Sequence, residues 1–167
     1  MAGTLGVATE NLPGRGLGIV AGAHVYPFRA GALTIGLGGE LLISRASATL
    51  EPANDDSPEG PTVKTRFSAV SPQLSFNFGA SEGWSYVSGG LGWSTFDVRL
   101  EQSAAPDSEP RRKTINYGGG ARWFTSRHVA LSIDLRWYAV SPQLAAAGTP
   151  ALPRMTVMVF SVGAGFK

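Results

Sequence analysis

Between residues 129 and 138 every second side chain is apolar. Val129, Leu131, Ile133, Leu135 and Trp137 take one set of positions, and Ala130, Ser132, Asp134, Arg136 and Tyr138 take the other. Successive residues of a strand point to opposite faces, so this run predicts a strand with one greasy and one charged face. The run before it repeats the pattern, with Ile115, Tyr117, Gly119, Ala121 and Trp123 against Asn116, Gly118, Gly120, Arg122 and Phe124. Thr125-Ser126-Arg127-His128 joins the two, which predicts a tight antiparallel hairpin.

The same alternation extends along the chain. Residues 1–9 are expected as a short strand, followed by a loop over 10–15 that contains Asn11, Pro13 and Gly14. Residues 16–26 set Leu17, Ile19, Ala21, Ala23 and Val25 against Gly18, Val20, Gly22, His24 and Tyr26, and 27–31 read as a compact turn. From Ala32 onward, Leu33, Ile35, Leu37, Gly39, Leu41 and Ile43 share a face opposite Thr34, Gly36, Gly38, Glu40 and Ser44. The stretch 46–64, with Pro52, Pro58 and Pro61 among several acids, is expected as a loop.

Residues 65–78 place Val70, Leu74, Phe76 and Phe78 opposite Ser71, Gln73, Ser75 and Asn77, with a bulge expected at Pro72. After a short turn over 79–83, the run 84–100 puts Val87, Leu91 and Trp93 opposite Ser88, Gly90, Gly92 and Ser94. Phe96, Val98 and Leu100 then fall out of phase, which predicts a bulge near Thr95. Residues 101–112 and 141–153 are further polar loops. The last run, 154–167, sets Met158, Phe160, Val162, Ala164 and Phe166 against Val159, Ser161, Gly163 and Gly165. The hexapeptide AVSPQL occurs at 69–74 and 139–144, on runs of opposite direction, and so implies no duplication.

These runs make eight candidate strands, and their connections alternate in length. The turns at 27–31, 79–83 and 125–128 are short, while the connections at 46–64, 101–112 and 141–153 are long. Antiparallel transmembrane barrels have short turns at one rim and long loops at the other. The two faces argue the same way. A solvated sheet face carries many Lys and Glu for solubility and edge protection, whereas the polar face here is mostly Gly, Ser, Asn and Thr. Small polar residues suit the crowded interior of an eight-stranded barrel. The expected fold is therefore all-β, an eight-stranded antiparallel up-and-down transmembrane β-barrel forming one domain over residues 1–167. Trp84, Trp123 and Phe166 lie near the short-turn rim with Tyr26, Phe28 and Phe78, and are expected at the lipid interface.

Composition narrows the function classes. The chain has 22 Gly and only 16% charged residues, yet its mean hydropathy is +0.04, so small neutral residues replace charge. A net charge of +2 spread along the sequence leaves no nucleic-acid footprint. With no Cys there is no disulfide framework, thiolate metal site or Cys nucleophile. No apolar run reaches the 18 residues of a membrane-spanning helix. The first residues show neither a basic nor an apolar signal region, so the natural chain is expected to begin upstream, with a signal peptide and part of the first strand missing here.

GWSYVSGGLGWSTF at 83–96 and NYGGGARWFTSRHVALSIDLRWY at 116–138 resemble the small outer-membrane β-barrels related to the OmpA transmembrane domain and to the OmpX and Ail group. The likeness runs from about residue 16 to the end: a Gly-rich strand, a four-residue turn, a strand with an inward Asp-x-Arg, and a final aromatic, Phe166. Lys167 follows that aromatic, whereas the family more often ends on the aromatic itself. The resemblance implies a monomeric integral protein of a Gram-negative-type outer membrane. Its partner would be the lipid bilayer, it would need no cofactor, and its surface loops would serve adhesion or ligand contact.

Few residues carry candidate chemistry. Glu40, Arg122, Asp134 and Arg136 all fall on the expected inward face, with Glu40 and Arg136 each about ten residues from its short turn and so at matching depth. Charges in a narrow interior must be paired, so these four are expected to form a polar network that fills the lumen, or a gate for a small ion pore. No catalytic, metal or cofactor site is expected. His24 faces inward and His128 sits in a turn, neither beside a Ser as acyl transfer by a lipid-modifying barrel enzyme would need. The remaining alternative is a soluble lipocalin-like barrel that binds a small molecule. It requires the Leu33, Ile35, Leu37, Leu41 and Ile43 face to point inward.

Overall fold

The computed structural model describes residues 12–50, 60, 62–79, 82–100, 110–144, 151 and 153–166. Seven strands form: β1 (Leu17–Ala30), β2 (Leu33–Thr49), β3 (Thr62–Gly79), β4 (Gly83–Leu100), β5 (Arg112–Phe124), β6 (Val129–Val140) and β7 (Met155–Phe166). Each pairs antiparallel with the next, giving one sheet in the order β1 to β7 with no helix among the described residues. The strand expected over residues 1–9 lies outside the described residues, as do residues 51–59, 101–109 and 145–150 of the three long connections.

The sheet curls. In a flat sheet β2 and β6 would stand about 19 Å apart, four spacings of ~4.8 Å. Instead the Tyr138 hydroxyl on β6 donates to Glu40 Oε1 on β2, and Arg122 Nη1 on β5 reaches the Tyr26 hydroxyl on β1 at 2.7 Å. The result is a half-barrel whose two edge strands, β1 and β7, are not paired with each other.

Turn chemistry fixes the short end. Ala30 pairs with Leu33, leaving a two-residue turn in which Gly31 takes a φ of 60°, a conformation that suits glycine. At the β5–β6 turn the Ser126 hydroxyl accepts from the backbone N–H of His128 and of Val129, and the Thr125 N–H donates to the Val129 carbonyl at 3.0 Å.

Several expected boundaries move. Residues 27–31 are not a turn; β1 runs on to Ala30, and its register slips between Val25 and Phe28, where Pro27 has no N–H to give the ladder. Pro72, by contrast, inserts nothing: Val70↔Trp93 and Gln73↔Gly90 enclose equal lengths of β3 and β4. There is likewise no bulge at Thr95, because the pairing runs without interruption from Val63↔Leu100 to Val70↔Trp93. The flanks of the 46–64 stretch are strand, β2 reaching Thr49 and β3 starting at Thr62. Thr and Val suit a pleated surface, and Val63 is completely buried there.

Without a bulge, Phe96 and Val98 keep the phase of Ser88 and Ser94 and face inward. The inner face is consequently layered. At the short-turn end the rings of Tyr26, Trp84 and Phe124 pack together, with centroids 5.1 and 5.2 Å apart. Above them lies a polar layer that includes Ser71, Gln73, Ser75, Asn77, Ser88, Asn116 and Arg136, all buried. Toward the long loops the inside turns largely apolar, around the buried Thr65, Ser94, Arg112 and Thr114: Leu42, Phe67, Ala69, Tyr138 and Val140 form one cluster with Phe96, Val157 and Val159 against it. Val63 and Val98 form a second with Leu12 and Leu50.

The outer face does the reverse. Through the lower and middle sheet it presents Val25, Leu37, Leu41, Val70, Leu74, Phe76, Val87, Leu91, Trp93, Ile115, Leu131, Phe160 and Val162, all exposed. At the long-loop ends of β2, β3 and β4 it becomes charged, in the rungs Arg45–Arg66–Asp97 and Ser47–Lys64–Arg99.

Candidate functional site

The charged layer within the curl is built on β6. Asp134, Arg136 and Tyr138 are two residues apart and so share the inner face, opposite Gly120, Gly118 and Asn116 of β5. Gly120 makes space: a Cβ there would run into the Ile133 carbonyl oxygen and stand 2.9 Å from the Tyr86 hydroxyl oxygen, which donates to Asp134 Oδ2 at 2.9 Å.

Arg136 is the hub. Its Nη2 lies 3.0 Å from Asp134 Oδ2 and donates to Ser88 Oγ at 2.8 Å. Its Nε meets Asp134 Oδ1 at 3.2 Å and Glu40 Oε2 at 3.5 Å, and Nη1 reaches Asn116 Oδ1 at 3.3 Å. The guanidinium side chain is 4% exposed and the Glu40 and Asp134 side chains 11% and 14%. Removing such charges from water is costly unless each is paired and hydrogen-bonded, and every carboxylate here has both an arginine and a tyrosine hydroxyl. The network continues into β3, where Asn116 Nδ2 donates to Ser71 Oγ and Gln73 Nε2 to Asn116 Oδ1 at 3.5 Å.

Of the four interior charges singled out from the sequence, Glu40, Asp134 and Arg136 thus meet in one cluster. Arg122 stands apart from it. Its guanidinium lies 5.6 Å from the centre of the Tyr86 ring and bonds the Tyr26 hydroxyl, touching the cluster only through Tyr86. Sequence reasoning did not name Tyr86, Tyr138, Ser88, Asn116, Ser71, Gln73 or Tyr26 as members. The signal was there in part, since a tyrosine set among glycines on the polar face has room to reach across.

The expected interfacial aromatics divide. Trp123 and Phe166 are exposed on the outer face at the short-turn end. Trp84 is not; it shares its face with Tyr86 and Ser88, points inward between Tyr26 and Phe124, and its Nε1 is buried without a hydrogen-bond partner. Position along the strand suggested an outer girdle, but strand parity sets the face. His24 also points inward, its ring 6.4 Å from that of Tyr26, and His128 is exposed in the β5–β6 turn. Among the described residues no three His, Cys, Asp or Glu side chains come together as a metal site.

Comparison with known protein families, curated proteins and solved structures gives no match to this chain. The geometry alone therefore carries the functional reading. Chemically, the cluster contains two acids and one guanidinium, with Arg122 beside it across Tyr86, between an aromatic floor and a largely apolar roof. Such an arrangement fills and stiffens an interior.

Proposed function

We propose that the chain is a non-enzymatic integral outer-membrane protein of a Gram-negative-type bacterium. On this reading it is a monomeric eight-stranded barrel with lipid around it and long loops at one rim for adhesion or ligand contact. The observation that carries the reading is the reversal of the two faces at one level of the sheet. Below that level the outside is apolar and the inside polar, as lipid surroundings require. Above it the outside of β2 to β4 is charged and the inside is largely apolar, apart from the buried Thr65, Ser94, Arg112 and Thr114, as water requires. Crossing a membrane takes about 9–11 strand residues, so β2 to β4, with 17, 18 and 18, are long enough to cross and project beyond.

The open edges of β1 and β7 call for one more strand. On this reading the strand expected from the sequence over residues 1–9 is the eighth, and a strand between β1 and β7 can run antiparallel to both. Closure gives the even strand number typical of bacterial barrels and leaves no unpaired edge. The soluble small-molecule barrel needs Leu37 and Leu41 inside, whereas they are exposed on the outer face beside Leu74 and Val70. An open ion pore is disfavoured by the packed floor and roof.

The test is refolding from urea into phosphatidylcholine vesicles, read by gel mobility with and without boiling, for the wild type and Leu91→Arg. Leu91 is 68% exposed in the middle of the apolar outer face. A faster unboiled band that Leu91→Arg weakens, at a cost of about 2–4 kcal/mol, supports the reading. A water-soluble chain without a mobility shift, indifferent to Leu91→Arg, overturns it.

A further inference from the structure

The apolar outer face has two edges, and both can be followed through the register. Its highest apolar side chains on β3, β5 and β7 are Val70, Ile115 and Met158, and the next residues above them on the same face are Ser68, Lys113 and Thr156. Its lowest are Phe78, Trp123 and Phe166, all exposed. The upper edge does not follow the rungs of the ladder. Val70 lies across from Trp93 and, through it, from Lys113, so on β5 the edge is one rung lower. Ile115 lies across from Ala139 and, through it, from Thr156, so on β7 the edge is one rung lower again. The lower edge falls in step, for Phe78 shares a rung with Ser85 and Ala121, one above Trp123, and Trp123 shares a rung with Leu131 and Ala164, one above Phe166. Each edge thus drops two residues for every two strands crossed.

Rungs run square to the strands, so a band that drops by one residue per strand is level only if the strands lean. With a rise of ~3.3 Å per residue and strands ~4.8 Å apart the lean is about 35°, which is that of strands in transmembrane barrels. From edge to edge β3, β5 and β7 each advance eight residues, from Val70 to Phe78, Ile115 to Trp123 and Met158 to Phe166, and at that lean the band is about 22 Å tall. The hydrocarbon of a typical bilayer is about 30 Å thick. The edges also differ in kind. The lower one is a row of aromatic rings, which favour the membrane–water boundary, whereas the upper one is aliphatic and gives way at once to Ser68, Lys113 and Thr156. We propose that this band selects a thin bilayer, one whose short acyl chains bring the hydrocarbon close to the height of the band, and that in thicker lipid the mismatch falls on the upper edge, where no ring holds the level. The proposal rests on the membrane reading given above and adds an acyl-chain preference to it.

Equilibrium urea unfolding of the inserted chain tests it, in vesicles of dilauroyl- and of dioleoyl-phosphatidylcholine, both fluid and alike in headgroup. The wild-type midpoint is expected about 1 M higher in the short-chain lipid, because each ångström of mismatch carries a modest cost. Ser68→Val/Lys113→Val/Thr156→Val raises the upper edge by two residues, about 5 Å, and should close at least half of that gap. Val70→Ser/Ile115→Ser/Met158→Ser lowers the edge and should widen the gap. Reading the difference between the two lipids removes any change in stability common to both, and either variant alone suffices. Equal wild-type midpoints, a higher midpoint in dioleoyl-phosphatidylcholine, or a gap that the variants leave unmoved overturns the proposal; in the last case the short-chain lipid is merely easier to enter for any chain. A chain that inserts into both lipids with a mobility shift but without chain-length dependence defeats this inference alone, whereas a chain that inserts into neither defeats the membrane reading and this inference with it.

Discussion

Replacing Arg136 by methionine removes the one cation that holds two buried carboxylates together. The side chain is 4% exposed and meets Asp134, Glu40, Ser88 and Asn116. Once it is gone, Glu40 and Asp134 face each other across the interior. Both contact the same guanidinium, so their separation is about 6–8 Å, and at an effective dielectric of ~20 their repulsion is about 2–3 kcal/mol. Adding the orphaned Ser88 and Asn116 groups brings the expected loss to about 3–5 kcal/mol, the range for breaking a buried pair by removing one partner. Glu40→Gln alone leaves Arg136 on Asp134 and should cost about 1–2 kcal/mol. In the double variant the mutual repulsion is absent, so the loss should fall short of the sum of the single changes by about 2 kcal/mol, a measurable coupling. Urea unfolding in vesicles, followed by tryptophan fluorescence, gives all three numbers. An Arg136→Met variant within about 1 kcal/mol of wild type, or a coupling near zero, would refute the view that the pairing sustains the interior.

Two further substitutions probe the packing around this layer. Gly120→Ala should lower the unfolding midpoint by the equivalent of about 1–3 kcal/mol, because the new methyl group runs into the Ile133 carbonyl oxygen and crowds the Tyr86 hydroxyl, while Gly163→Ala, whose Cβ would meet only Ser132 Oγ at 3.4 Å, should stay within about 0.5 kcal/mol. Trp84→Phe should change stability by less than about 1 kcal/mol, since the lost ring area is offset by removing a buried N–H without a partner; thermal unfolding in detergent checks this, and a loss above about 3 kcal/mol would show that the indole nitrogen has a partner.

Much of this architecture is legible in the residues themselves. The two-residue period survives in every described strand but β1, which changes phase between Val25 and Phe28, so inward and outward sets are legible in the sequence for Glu40, Asn116, Asp134, Arg136 and Tyr138. What failed was reading polarity as a proxy for face. Phe96 and Val98 look out of phase only if the inside is assumed polar throughout, and that assumption created a bulge at Thr95 where the ladder is regular. Trp84 was misplaced for the opposite reason, its height on the strand being weighed above its parity. The strand ends within 46–64 were hidden by prolines that sit beyond Thr49 and before Thr62. Which side chains meet across the interior depends on the curl, a property of the whole sheet that no local window contains. Glu40 and Tyr138 are 98 residues apart and separated by three intervening strands.

The charged rungs at the long-loop ends also bear on the direction and rate of assembly. On the proposed reading Arg45, Lys64, Arg66 and Arg99 must cross the hydrocarbon before β2 to β4 can settle, and each cation at the bilayer midplane costs about 2–4 kcal/mol. Insertion of these strands is therefore slow on its own and gains from whatever thins or disorders the bilayer. The same barrier stands in the way of retreat. Once the arginines have reached the far side they act as a ratchet, and the lifetime of the inserted state is set by the passage of charge as much as by the contacts of the finished sheet.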